Sequence, residues 1–151
     1  IMFIQMNNKC KVEKINGRYY IDGEASRNPK IEDLKKWYKE YNANYFYNKL
    51  PECKFFLKKE STYPAQCYPS SKEIHFNNGG KYIWNRTIVK KILLHEMVHM
   101  YIHCTYNIIG RFLNSFHNMW PFAFEMFRLN KKHHLGLKLL DDVPLRSKYK
   151  D

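Results

Sequence analysis

The sequence predicts an α+β fold, on three observations. A hairpin signal stands near the start, a helix-period apolar stripe follows it, and short strand-like runs then precede two further helical patterns. In KVEKINGRYYID, Asn16-Gly17 falls between two alternating runs, the sequence mark of a type I′ turn. Asn28 and Pro29 read as N-cap and first-turn proline of a helix through KIEDLKKWYKEYNANYFYNKL. Its stripe is Ile31, Leu34, Trp37 or Tyr38, Tyr41 and Tyr45, which reads as core, and Pro51 is expected to end it. Strand candidates at 54–58, 62–68 and 73–76 make a small antiparallel sheet, and NNGG at 77–80 is a loop. A second helix is expected from Asn85 or Arg86 to about His103, with Ile88, Val89, Ile92, Leu93 and Met97 as apolar positions. YNIIGRFLNS, with Gly110, reads as a connector. A last helix covers roughly Asn118 to Leu129, with Pro121 near its start and Phe122, Met126 and Leu129 facing inward.

With 151 residues and no repeat, linker or low-complexity tract, one domain over 1–151 is expected. Its core spans about 30–130, with 1–27 as a hairpin extension and 131–151 as a weakly ordered basic tail. Hydrophobic residues at 44% exclude global disorder. No apolar run approaches the roughly 18 residues of a membrane span, and the opening IMFIQMNNKCK is too short for a leader. The expectation is a cytoplasmic protein with no membrane partner. Cys10, Cys53, Cys67 and Cys104 form no C-x-x-C, which excludes a zinc ribbon or finger. They are expected to be free and mostly buried, Cys104 as a small core residue rather than a soft ligand. The net charge of +12, from 26 basic and 14 acidic residues, favours polyanionic partners. Lys, Tyr and Phe are interleaved along the chain, which puts nucleic acid, single- or double-stranded DNA included, ahead of a merely solvated surface.

The chemistry concentrates in KKILLHEMVHMYIHCTY, where His95, His99 and His103 recur every four residues and Glu96 follows the first. His95-Glu96-Met97-Val98-His99 is H-E-x-x-H in a helical pattern. Residues i and i+4 share one helix face, so both imidazoles reach one zinc ion, and Glu96 lies beside the first as candidate general base and acid. His103 lies about 12 Å along the helix axis from His95 at a rise of 1.5 Å per residue. With Zn–N bonds near 2.1 Å, it cannot join the other two on one tetrahedral ion. A third ligand must come from elsewhere. His117 is the leading candidate, since the chain can turn back after Gly110. Glu125 would give a two-His, one-Glu site. His133-His134 sit in the basic tail. His75 faces out of its strand if Ile74 and Phe76 face in.

The order YNANYFYNKLPECKFFLKK, EIHFNN, VKKILLHEMVHMYIH, FHNMWPFAFEMFRLNK resembles the SprT-like domain of the Spartan-type zinc metalloproteases, over roughly residues 32–130. The aromatic helix ending in NKLP and the His117 segment discriminate, because H-E-x-x-H alone is shared by many peptidases. The resemblance implies a zincin-like metalloprotease fold, one Zn2+ held by His95, His99 and His117, and Glu96 as catalytic acid and base. It implies cleavage of proteins bound or crosslinked to DNA. No cysteine lies beyond Cys104, so a domain without the family's frequent C-terminal zinc ribbon is expected. Two other functions stand beside this one. They are a zinc peptidase with a protein substrate and no DNA role, and a non-catalytic binding module with a closed structural zinc site.

Overall fold

The computed structural model describes residues 10–60, 62–139 and 143–149. The opening run behind the expectation of no leader, residues 1–9, lies outside them, as do tail residues 140–142 and 150–151. Strands β1 (Val12–Ile15) and β2 (Arg18–Ile21) pair antiparallel around Asn16 and Gly17, at φ 50° and 79°. Two consecutive positive φ values are what a type I′ turn requires. β3 (Glu24–Ala25) adds to β2, completing the order β1-β2-β3.

Helix α1 spans Ile31–Tyr45. It starts later than the Asn28-Pro29 signal suggests, because Lys30 is still extended at φ −126° and ψ 138°. Proline also disfavours the helical region at Asn28. Glu32 and Asp33 sit in the first turn, where the helix dipole favours them, and Asp33 pairs with Arg27 at 2.9 Å. The helix ends well before Pro51. The Asn42 carboxamide bonds both the amide and the carbonyl of Leu50 at 3.1 Å, and Tyr47 and Asn48 take positive φ to make the turn. Leu34, Trp37, Tyr38 and Tyr41 form its buried face.

The second sheet joins β4 (Lys54–Lys58), β5 (Ala65–Tyr68) and β6 (Glu73–Asn77) in the order β4-β6-β5. It is mixed, not wholly antiparallel: β4 runs parallel to β6, and β5 antiparallel to it. Fourteen residues separate β4 from β6, enough for the return that a parallel pair needs. β5 begins at Ala65 rather than Thr62, since Pro64 has no N–H to give, although its carbonyl accepts the Asn77 amide at 2.8 Å. Ile74 and Phe76 are fully buried, which turns His75 to the outer face, against the Phe56 and Tyr68 rings.

Helix α2 (Arg86–Thr105) crosses the core. Asn85 caps it, accepting the Ile88 amide at 2.7 Å, and donates to the Ile21 carbonyl of β2 at 3.2 Å. Thr87 donates to Glu24 at 2.6 Å, tying the same turn to β3. The expected connector contains a short helix, α3 (Ile108–Leu113), capped by Asn107. Gly110 is required there, because an added Cβ would lie 2.7 Å from Tyr106 Cβ. Helix α4 (Phe122–His133) starts and ends about four residues later than its pattern suggests. Residues 118–121 form turns instead, and Asn130 closes the far end by bonding Leu137 twice at 2.7 Å.

The tail is not loose where it is described. Leu145 bridges Tyr82, Ile83 donates to Pro144 at 2.8 Å, and Arg146 stacks on Tyr19 at 4.9 Å. All four cysteines are free thiols, but only Cys53 is buried, and Cys104 is exposed rather than in the core. On the last turns of α2 the inward positions belong to Tyr101 and Ile102. Among the described residues no helix is long and apolar enough to cross a membrane.

Candidate metal centre

His95 and His99 lie one turn apart on α2, and the segment between α3 and α4 brings His117 to them. His117 Nε2 stands 3.2 Å from His95 Nε2 and 3.1 Å from His99 Nε2. Tetrahedral ligands at about 2.1 Å from zinc are about 3.4 Å apart. The three imidazoles are therefore positioned to bind a metal ion. The Phe122 ring packs against all three, with centroids 4.9, 4.5 and 4.8 Å from His95, His99 and His117.

Asn114 fixes the tautomer of His99. Its Nδ2 donates to the His99 carbonyl at 2.9 Å, so its Oδ1 faces His99 Nδ1, also at 2.9 Å, and must accept. The proton sits on Nδ1 and the Nε2 lone pair points at the cluster. Burial and the neighbouring imidazoles hold His95 well below its ordinary pKa. Burial pushes His99 down to about 4 and also lowers His117. All three thus favour the neutral form that binds metals. Replacing Asn114 by alanine should weaken metal affinity about 10- to 100-fold, read by competition with a chromogenic chelator. Unchanged affinity would remove Asn114 from the site.

Glu96, next to His95 on α2, lies against β5 in the same cleft as the imidazoles. Burial raises its pKa to about 8, opposed by a hydrogen bond from the Cys67 backbone. The register makes that bond intelligible. Asn77 donates to Pro64, so alternate β5 residues Gln66 and Tyr68 bond towards β6. Ala65 and Cys67 turn their backbone groups to the open edge. That edge forms one wall of a cleft of about 550 Å³. Glu96, His95 and His99 form another wall, and Asn114, Ser115 and His117 a third.

The other candidates lie elsewhere. Glu125 is buried in its own network, accepting from Tyr106 at 2.6 Å and paired with Arg128 at 2.7 Å. His103 is half-buried further along α2 and outside the cluster. His75 pairs with Glu73 at 3.2 Å, and His133 packs on Tyr45. Sequence reasoning passed over Asn114 and the Cys67 amide. Asn114, three residues before His117, carried a usable signal as a carboxamide near a candidate ligand.

A mixed α+β core, three imidazoles converging from a helix and the loop after it, and an acid in the same cleft define a metallopeptidase-like domain. Residues 34–138, more than two-thirds of the chain, match the SprT-like family, and the chain belongs to that family. Among curated proteins no relative matches it.

Proposed function

We propose that the chain is a zinc-dependent endopeptidase that acts on proteins bound or crosslinked to DNA. The observation that carries this reading is the meeting of three convergent imidazoles and one buried carboxyl in a single open cleft. When bound, zinc supplies Lewis-acid polarisation of a carbonyl and acidifies water. Glu96 takes the proton from the attacking water and returns it to the leaving amine. The Cys67 amide keeps the carboxyl oriented between these transfers. An extended substrate pairs with the open edge of β5, as peptides add to exposed sheet edges.

The DNA half rests on charge and aromatic exposure. The chain carries +12, Lys49 and Lys132 lie over the exposed Tyr47 ring, and Lys131 lies over Phe127. Such cation–ring pairs suit stacked bases and phosphates. The free thiols support a reducing, cytoplasmic setting. Digestion of casein and histone, with and without single- or double-stranded DNA, tests the proposal. A zinc chelator should stop cleavage and added zinc restore it. DNA should speed histone cleavage, and the gain should fade as salt rises. Cleavage indifferent to DNA at every salt would leave a peptidase without a DNA role. No cleavage by the zinc-loaded chain would leave a binding module.

A further inference from the structure

The segment that carries Asn114 and His117 to the cleft is apolar on its outside. Within thirteen residues, 108–120, six large side chains are exposed: Ile108 by 82%, Ile109 by 61%, Phe112 by 74%, and Phe116, Met119 and Trp120 by nearly half. Ile108 and Phe112 are one turn apart on α3 with Ile109 beside them, while Gly110 is the buried position against Tyr106. A surface helix ordinarily turns its apolar face inward. Single exposed apolar residues need no explanation, but a cluster on the rim of a cleft marks a binding surface.

The composition of the rim selects its occupant. Arg111 is the only cation in 107–120, and no carboxylate is present there. Phosphate backbones and anionic lipid surfaces both call for several Lys or Arg residues. A second copy of a chain carrying +12 is repelled. Meanwhile Asn114, Ser115 and His117, from the same segment, line the cleft. The exposed apolar side chains therefore adjoin the cleft through the segment they share with its lining. Folded proteins rarely offer a continuous apolar stretch, whereas unfolded ones do. We propose that the outward face of α3 and the loop to His117 form a docking surface for an unfolded, apolar stretch of protein substrate, which it leads into the cleft. The proposal rests on the peptidase reading, whose substrate class it specifies.

The test uses the full chain as Glu96→Gln, loaded with zinc. Its binding to fluorescein-labelled α-lactalbumin is followed by anisotropy, with the probe either reduced and carboxymethylated or native. The unfolded probe should bind and the native one should not. Adding Ile109→Ser and Phe112→Ser should weaken that binding at least about tenfold, from the loss of two apolar side chains that the docked stretch would cover. The pair alters no charge, and zinc content reports that the site survives. In the active chain the same pair should raise KM for the unfolded protein and leave cleavage of a short peptide unchanged. Unaltered binding of the unfolded probe by the pair would overturn the proposal. A loss confined to oligo-dT or to phosphatidylserine vesicles would also overturn it, as would a dimer that the pair splits. Failure of the peptidase reading shows separately, as a parent chain that cleaves no peptide.

Discussion

Glu96→Gln should stop proteolysis while the zinc site stays filled. Glutamine keeps the carbonyl oxygen that accepts the Cys67 amide, and it keeps the side chain's shape. What it loses is the ability to take a proton from water and hand it on. General acid–base catalysis of this kind is worth on the order of 10²- to 10⁴-fold in rate. Casein digestion should fall by at least that factor, with zinc per chain unchanged. Full activity would take Glu96 out of the mechanism. The variant should also fold well. Between pH 4.5 and about 8 the folded, metal-free chain retains a proton on Glu96 that the unfolded chain releases. Its stability therefore falls as pH rises through that window, and the glutamine chain should lack this component of the fall.

His117→Ala should empty the centre. It removes the nitrogen that stands 3.1–3.2 Å from both others and leaves a helix pair with two ligands. Residues that merely orient ligands are worth about 10- to 100-fold in metal affinity, so losing a ligand should cost at least about 100-fold. His103→Ala should change metal affinity little, because His103 lies outside the cluster although it shares the four-residue spacing. Titration with a competing chelator reads both variants, and peptidase activity should follow the metal. Equal affinity of the two variants would break the assignment of His117.

The two predictions differ in how much of their basis the sequence carried. His95, Glu96 and His99 are local to one helix, where spacing alone fixes the face each residue takes. The Asn85 cap and the apolar positions of α2 are equally local, and the helix runs close to its predicted limits. His117 depends on the path of a segment whose turns are set by a tight Gly110–Tyr106 contact and by Phe122 packing, both of them tertiary. The parallel pairing of β4 with β6 is likewise a long-range choice that strand patterns do not encode. Cys104 was misplaced because a small apolar residue in a mostly buried helix looks like core until the helix's solvent side is known. The ends of α1 and α4 were misjudged for a shared reason. An Asn carboxamide in each bonds a leucine seven or eight residues ahead, and no short motif marks that clasp.

The anchoring of α2 bears on where a minimal fragment could be cut. The cap at Asn85 donates to Ile21, Thr87 donates to Glu24, and the Arg27 amide donates to the Trp84 carbonyl at 2.7 Å. Ile83 and Lys81 are tied to Pro144 and Arg146. All these partners lie outside the matched residues 34–138. Trimming a gene to the matched segment would therefore release the start of the very helix that carries two imidazoles and the acid. Expression vectors for this SprT-like domain should keep both flanks.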